Sequence, residues 1–114
     1  ALAGRFGLAW GGLAEAAEAI PLAGLVVNAT AAGLSGASPL PPQARFRPGA
    51  WAYDLVYRPR ETPFMAQARA GGARPVGGLG MLVRQAARTW TLFFGETLPE
   101  ASVAAAERAL EESL

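Results

Sequence analysis

The run Ala23-Gly24-Leu25-Val26-Val27 constrains the fold more than any other stretch of the chain. It is apolar throughout and β-branched at its end, too short for a buried helix and without the alternation of a strand that has one wet face. A run of this kind, closed by polar Asn28 and Thr30, reads as a strand buried on both faces of a parallel sheet. Parallel neighbours need crossover connections, and the sequence supplies strand and helix signals in that order. Trp51–Tyr57 (WAYDLVY) is a second strand, and Thr62-Pro63 provides the N-cap and first residue of a helix that reaches about Ala70 and stops at Gly71-Gly72. Arg74–Val76 is a third, weakly marked strand leading into Gly77, Gly78 and Gly80. Leu79–Phe94 carries Leu82, Ala86, Thr89, Trp90 and Phe93 at helical spacing, with Gly95 as its stop. A last helix starts at Pro99, with Leu98 placed as a staple, and sets Val103, Ala106 and Leu110 on one face. Strands and helices alternating at these lengths predict an α/β fold with a mostly parallel sheet.

The flanks are less regular. Ala1–Phe6 has helical composition ending at Gly7, Leu8–Trp10 is a short strand candidate, and Leu13–Ala19 is a helix closed by Pro21. Between residues 31 and 49 the composition turns to Gly, Ser and Pro, and Pro39, Pro41 and Pro42 exclude regular structure. Leu34, Leu40 and Phe46 punctuate this stretch, so it is a loop packed on the domain rather than a free linker.

The inventory of reactive groups is thin. Among 114 residues there are 10 Arg, 8 Glu and the single Asp54, with no Lys, His or Cys. Disulfides, thiolate nucleophiles and Cys-based metal sites are therefore excluded, as is histidine acid/base chemistry. A net charge of +1 with the arginines scattered along the chain argues against nucleic-acid binding, which needs a concentrated basic face. No apolar run reaches the roughly 18 residues of a membrane span, and the start lacks the order of a signal peptide, so a cytoplasmic protein is expected.

In open parallel sheets ligands bind beyond the carboxyl ends of the strands. Three features meet there: Asn28-Ala29-Thr30 after the first clear strand, Leu55-Val56-Tyr57 at the end of the next, and the glycine turn 77–80 before the long helix. Each has a plainer reading, since Asn and Thr form turns and glycines satisfy backbone geometry. Gln85 lies one turn beyond Met81 on the flank of the apolar stripe, where a long amide can reach a cleft or simply be solvated. Asp54 sits in an otherwise apolar strand and must be partnered to be buried. A structural role accepting backbone N–H groups is favoured for it. Leu82, Trp90, Leu92, Phe93 and Phe94 read as core, and Arg58 and Arg60, beside Glu61, as an exposed loop. The G-x-G-x-x-G dinucleotide fingerprint is absent.

The order VVNATAAGLSG (26–36), a Pro-rich loop, YDLVYRPRETPF (53–64), GLGMLVRQAARTW (78–90) and a closing G-x-x-x-P (95–99) resembles the C-terminal part of shikimate dehydrogenases, over roughly residues 8 to 114. The resemblance implies an incomplete Rossmann-like NADP-binding domain over 1–94, a parallel sheet with flanking helices, and a C-terminal helix segment over 95–114 packing against it. It implies NADP-dependent, reversible reduction of 3-dehydroshikimate to shikimate in aromatic amino-acid biosynthesis. By position, Leu55 and Gly78 would meet the nicotinamide half of NADP through their backbones and Met81 would pack on it. Asn28, Ala29, Thr30 and Ala31 would line the cofactor cleft, and Tyr57 and Gln85 would reach the substrate. No metal is implied. The chain departs from the family at Ala31, where many members have Pro, and at Gly77, where an acidic residue is sometimes found.

The family's catalytic Lys and Asp, its glycine-rich turn and the segment that holds the 2′-phosphate have no counterpart in this sequence, so a missing N-terminal catalytic portion is the expected partner and the chain alone is expected to be inactive. With sheet order 3-2-1-4-5-6, a third strand at Leu8–Trp10 would lack its neighbours. Two alternatives stay open, a non-catalytic ligand-binding or interaction domain of the same fold and a quinate/shikimate dehydrogenase-like relative with another substrate, and a second copy of the chain is a further candidate partner.

Overall fold

The computed structural model describes residues 2–114, so Ala1 lies outside the described residues. Helix α1 (Leu2–Arg5) ends at Gly7, whose φ of 66° is the left-handed cap conformation. Leu8–Trp10 forms no strand. A strand needs a partner for its backbone groups, and the described residues place none beside it. Helix α2 is shorter than expected (Ala16–Ala19) and Pro21 does not stop the chain; it sits inside a 3₁₀ turn, Ile20–Leu22, where a missing N–H is harmless.

Three parallel strands follow in the order β1-β2-β3: β1 (Leu25–Asn28), β2 (Trp51–Asp54) and β3 (Arg74–Val76). The register sets Leu25 beside Trp51 beside Arg74, and Val27 beside Tyr53 beside Val76. Helix α3 (Pro63–Ala70) is the β2-to-β3 crossover and lies on one face of the sheet. There Ala52, Phe64, Met65, Ala68 and Ala73 pack with Ile20 and with Ala44 and Phe46 from the Pro-rich stretch. The rings of Phe46 and Phe64 meet edge to face at 5.7 Å, which accounts for that stretch behaving as a packed loop.

The opposite face is open. Leu25 is 58% exposed and Val27 51%, and Trp51 is also exposed, with the guanidinium of Arg74 5.4 Å above its ring. The expectation that the first apolar run is buried on both faces is thus corrected: its composition suits two covers, and only one is present.

Helix α4 (Leu79–Phe94) runs from the β3 turn to Gly95, again in the left-handed cap conformation. Helix α5 (Glu100–Ser113) folds back on it, burying Val83 and Val103. The apolar stripe of α4 is not core in this chain. Trp90, Leu92, Phe93 and Phe94 are exposed, with Trp90 and Phe94 tilted against each other at 4.3 Å. Leu82 and Trp90 face Val103, Ala106 and Leu110 across an apolar groove between the two helices. Among the described residues, no helix is long and apolar enough to cross a membrane.

Candidate functional site at the carboxyl ends of the strands

The tips of β1 and β2 are locked together by one buried carboxylate. Asp54 is 0% exposed, and its Oδ1 accepts from Asn28 Nδ2 at 3.1 Å and from the Val56 amide at 3.0 Å. Its Oδ2 accepts from the Thr62 hydroxyl at 2.5 Å. The same Thr62 oxygen accepts from the Met65 amide at 3.2 Å, capping α3. A buried charge is tolerated when hydrogen bonds satisfy it, and these three donors do so. The structural role expected for Asp54 holds, with two side-chain donors added to the backbone one. Thr62 was legible in the sequence only as an N-cap; that its donor hydrogen serves Asp54 depends on a turn spanning eight residues.

Asn28 is buried and both ends of its amide are used, since its Oδ1 also accepts from the Thr30 amide at 3.0 Å and the Thr30 hydroxyl at 2.7 Å. This is the Asx turn that Asn and Thr favour. It leaves Ala29, Thr30 and Ala31 exposed beyond the tip of β1.

At the tip of β2 the chain bends under the start of α4. The Gly78 amide donates to the Val56 carbonyl at 3.2 Å, and the face of Gly78 where a side chain would stand is turned to the Leu55 carbonyl. A Cβ at position 78 would collide with the Leu55 carbonyl oxygen and lie 2.6 Å from its carbon. Gly78 has an ordinary φ of −78°, so glycine is required here for close approach and not for conformation.

Around this contact lies a cleft of about 260 Å³, lined by Tyr53 and Tyr57 from β2 and its extension, by Val76, by the 77–80 turn, by Arg60 and by Glu107 and Glu111 of α5. Of the residues expected at the site, Leu55, Tyr57 and Gly78 come together here. Met81 is half-buried in the first turn of α4, and Gln85 is exposed one turn further along, beyond the cleft wall. Arg58, Arg60 and Glu61 are exposed, as expected of that loop. Glu107 was not anticipated. Nothing in its own helix distinguishes it, and its place depends on how α5 folds back.

The electrostatics around α4 come from α5. Arg84 Nη2 lies 3.0 Å from Glu100 Oε1, and this hydrogen-bonded ion pair raises the guanidinium pKa, with Glu107 adding a smaller Coulombic contribution.

Comparison with known proteins agrees with this geometry. The model of the shikimate 5′-dehydrogenase C-terminal domain matches residues 78–111. A curated shikimate dehydrogenase (NADP(+)) of Nitrobacter hamburgensis is 47% identical over 102 residues, covering 84% of this chain and 35% of that protein. One from Moorella thermoacetica is 46% identical over 98 residues, with 83% and 32% covered. The crystal structure of the Thermus thermophilus shikimate 5-dehydrogenase in complex with NADP(H) and shikimate superposes with a TM-score of 0.76 at 40% identity, over 95% of this chain and 40% of that one. The chain therefore spans about a third of the length of these curated relatives. The shared sequence and the superposition cover the same region: the chain belongs to the shikimate dehydrogenase family, matches the C-terminal part of its members and carries their Rossmann-like fold.

Proposed function

We propose that this chain forms the nicotinamide side of an NADP-dependent shikimate dehydrogenase, which reversibly reduces 3-dehydroshikimate to shikimate in aromatic amino-acid biosynthesis. The observation that carries the reading is the backbone contact of Gly78 with Leu55 at the carboxyl ends of parallel strands. It brings two stretches of backbone together at the edge of the cleft with no side chain between them, which we read as the wall against which a planar ring lies. The Thermus thermophilus protein, whose structure holds NADP(H) and shikimate, supports assigning that wall to the nicotinamide.

The residues present fit such a group. Leu55 and Gly78 offer backbone atoms, Met81 offers a polarisable apolar surface beside them, and Ala29, Thr30 and Ala31 line the approach from β1. Asn28, its amide committed, holds that loop in shape. Tyr57 and Gln85 are the substrate-side groups, the phenol and the amide donating to hydroxyl or carboxylate oxygens. NADPH supplies the hydride that reduces the ketone. The chain's own part is to orient the ring and substrate and to exclude water; the proton that the substrate oxygen gains on reduction is assigned elsewhere. That step belongs to the family's Lys and Asp, in a catalytic portion outside this chain.

In this reading residues 1–94 belong to the NADP-binding domain and 95–114 are a helix segment that closes against it. The setting is cytoplasmic. The test is oxidation of NADPH by the protein carrying this chain, with 3-dehydroshikimate and with 3-dehydroquinate. Turnover restricted to 3-dehydroshikimate is expected; none with either would overturn the proposal, and preference for 3-dehydroquinate would replace its substrate. The isolated 114-residue chain is expected to show no turnover.

A further inference from the structure

Helix α4 begins at the proposed nicotinamide wall, yet its own sequence leaves its N-terminus without a counter-charge. Its N-cap is Gly78, no side chain caps it, and no acidic residue lies in its first turn. A helix of 16 residues presents unpaired N–H groups and the positive end of its dipole at that point, and an anion placed there is stabilising. A carboxylate of α5 stands beside this first turn. The half-buried Glu107 directs its carboxylate onto Gly80: a Cβ built at position 80 would stand 2.7 Å from Oε1 and 3.9 Å from Oε2. Glycine at 80 is what gives the carboxylate this room. The Gly80 position and Glu107 both line the cleft that contains Gly78 and Tyr57.

We propose that Glu107 is a positioning residue for the cofactor wall: it supplies across two helices the counter-charge that α4 lacks, and so fixes the first turn of α4 against the tip of β2. This rests on the functional reading above only for the identity of the group the wall faces. Arg84, one turn into α4, is held by Glu100, so the two glutamates grip successive turns of the same helix. Loss of Glu107 frees the first grip and takes from the second only the weaker attraction of Glu107 for Arg84, the Glu100 ion pair remaining.

The test compares Glu107→Gln, Glu107→Ala and Gly80→Ala, and the double variant Gly80→Ala with Glu107→Ala, in the protein carrying this chain. Two quantities are read: the folding equilibrium constant from urea titration, and the NADPH dissociation constant from cofactor fluorescence. Glu107→Gln keeps the side-chain shape and removes the charge; it is expected to lower the folding constant about two- to fivefold, the effect of a helix-terminal counter-charge, and to raise the dissociation constant by a similar factor. Gly80→Ala is expected to raise the folding constant more once residue 107 is alanine than while Glu107 is present, because a helical Gly→Ala change is otherwise favourable and the end of the Glu107 side chain must move aside to admit the methyl. Wild-type values for Glu107→Gln in both measurements, or an equal effect of Gly80→Ala in both backgrounds, would overturn the proposal. Should the wild type bind no NADPH while the folding results follow this pattern, the cofactor reading falls and the counter-charge stands.

Discussion

The hydroxyl of Thr62 donates to Asp54 Oδ2 while its oxygen receives the amide of Met65, so one side chain both satisfies the buried carboxylate at the tip of β2 and starts the helix that covers the sheet. Strand tip and helix start are therefore one hydrogen-bonded unit. Asp54→Asn, which replaces acceptor oxygen by an NH₂ donor facing Asn28 or Thr62, is expected to destabilise the protein by about 3 kcal/mol, measured by urea unfolding. A loss below about 1 kcal/mol would show that the unit is dispensable.

Gly78→Ala addresses the wall directly. The added methyl meets the Leu55 peptide, which is backbone and cannot rotate away, so α4 must shift. Overpacking of this kind costs about 1–3 kcal/mol, and NADPH affinity should fall at least about tenfold, the equivalent of about 1.4 kcal/mol in binding. Unaltered affinity in a folded variant would remove Gly78 from the site.

Gln85→Ala separates function from folding. The side chain is exposed and makes no hydrogen bond in the structure's own network, so stability should change by no more than about 0.5 kcal/mol. The substrate Michaelis constant or turnover of the complete enzyme should worsen roughly tenfold, as for a lost hydrogen bond to a charged group. Unchanged kinetics would place Gln85 among the merely solvated residues.

The two faces of the sheet should respond differently to truncation. Phe64, 1% exposed and edge-on to Phe46, should cost about 3–5 kcal/mol as Phe64→Ala. Val27→Thr on the open face should cost the isolated chain no more than about 0.5 kcal/mol by urea unfolding. A loss at Val27 comparable with that at Phe64 would mean that a second surface already covers the sheet.

The elements whose signals are local were readable in advance. The Thr62-Pro63 start of α3, the glycine stop of α4 and the β2 run all carry their own chemistry in a few neighbouring residues. What was not readable depends on tertiary neighbours. Leu8–Trp10 has strand composition but no strand beside it, and Leu25, Val27, Trp90 and Phe94 are apolar for surfaces that this chain does not bring against them. At the site, Leu55, Tyr57 and Gly78 were named in advance because strand ends and glycine turns are sequence features. The engagement of Asn28 by Asp54 and the reach of Glu107 onto Gly80 arise from residues 26 and 27 positions apart, and no local pattern announces such pairs.

The bond between Asn28 and Asp54 also has a kinetic meaning. The two closures span similar lengths, 26 positions from Asn28 to Asp54 and 24 from Ala50 to Arg74, but helix α3 fills the second and packs on both strands it joins, whereas between β1 and β2 the chain carries only a short 3₁₀ turn, Ala32–Ser35. β1 is therefore expected to dock late in folding and to be released early in unfolding. The amides of Trp51 and Leu55, which donate to Gly24 and Asn28 across that junction, should then exchange with solvent faster than the Arg74 amide, which binds Ala50 across the α3 crossover. The same junction that shapes the mouth of the cleft would set the time during which the strand edge of β2 stands open to a wrong neighbour.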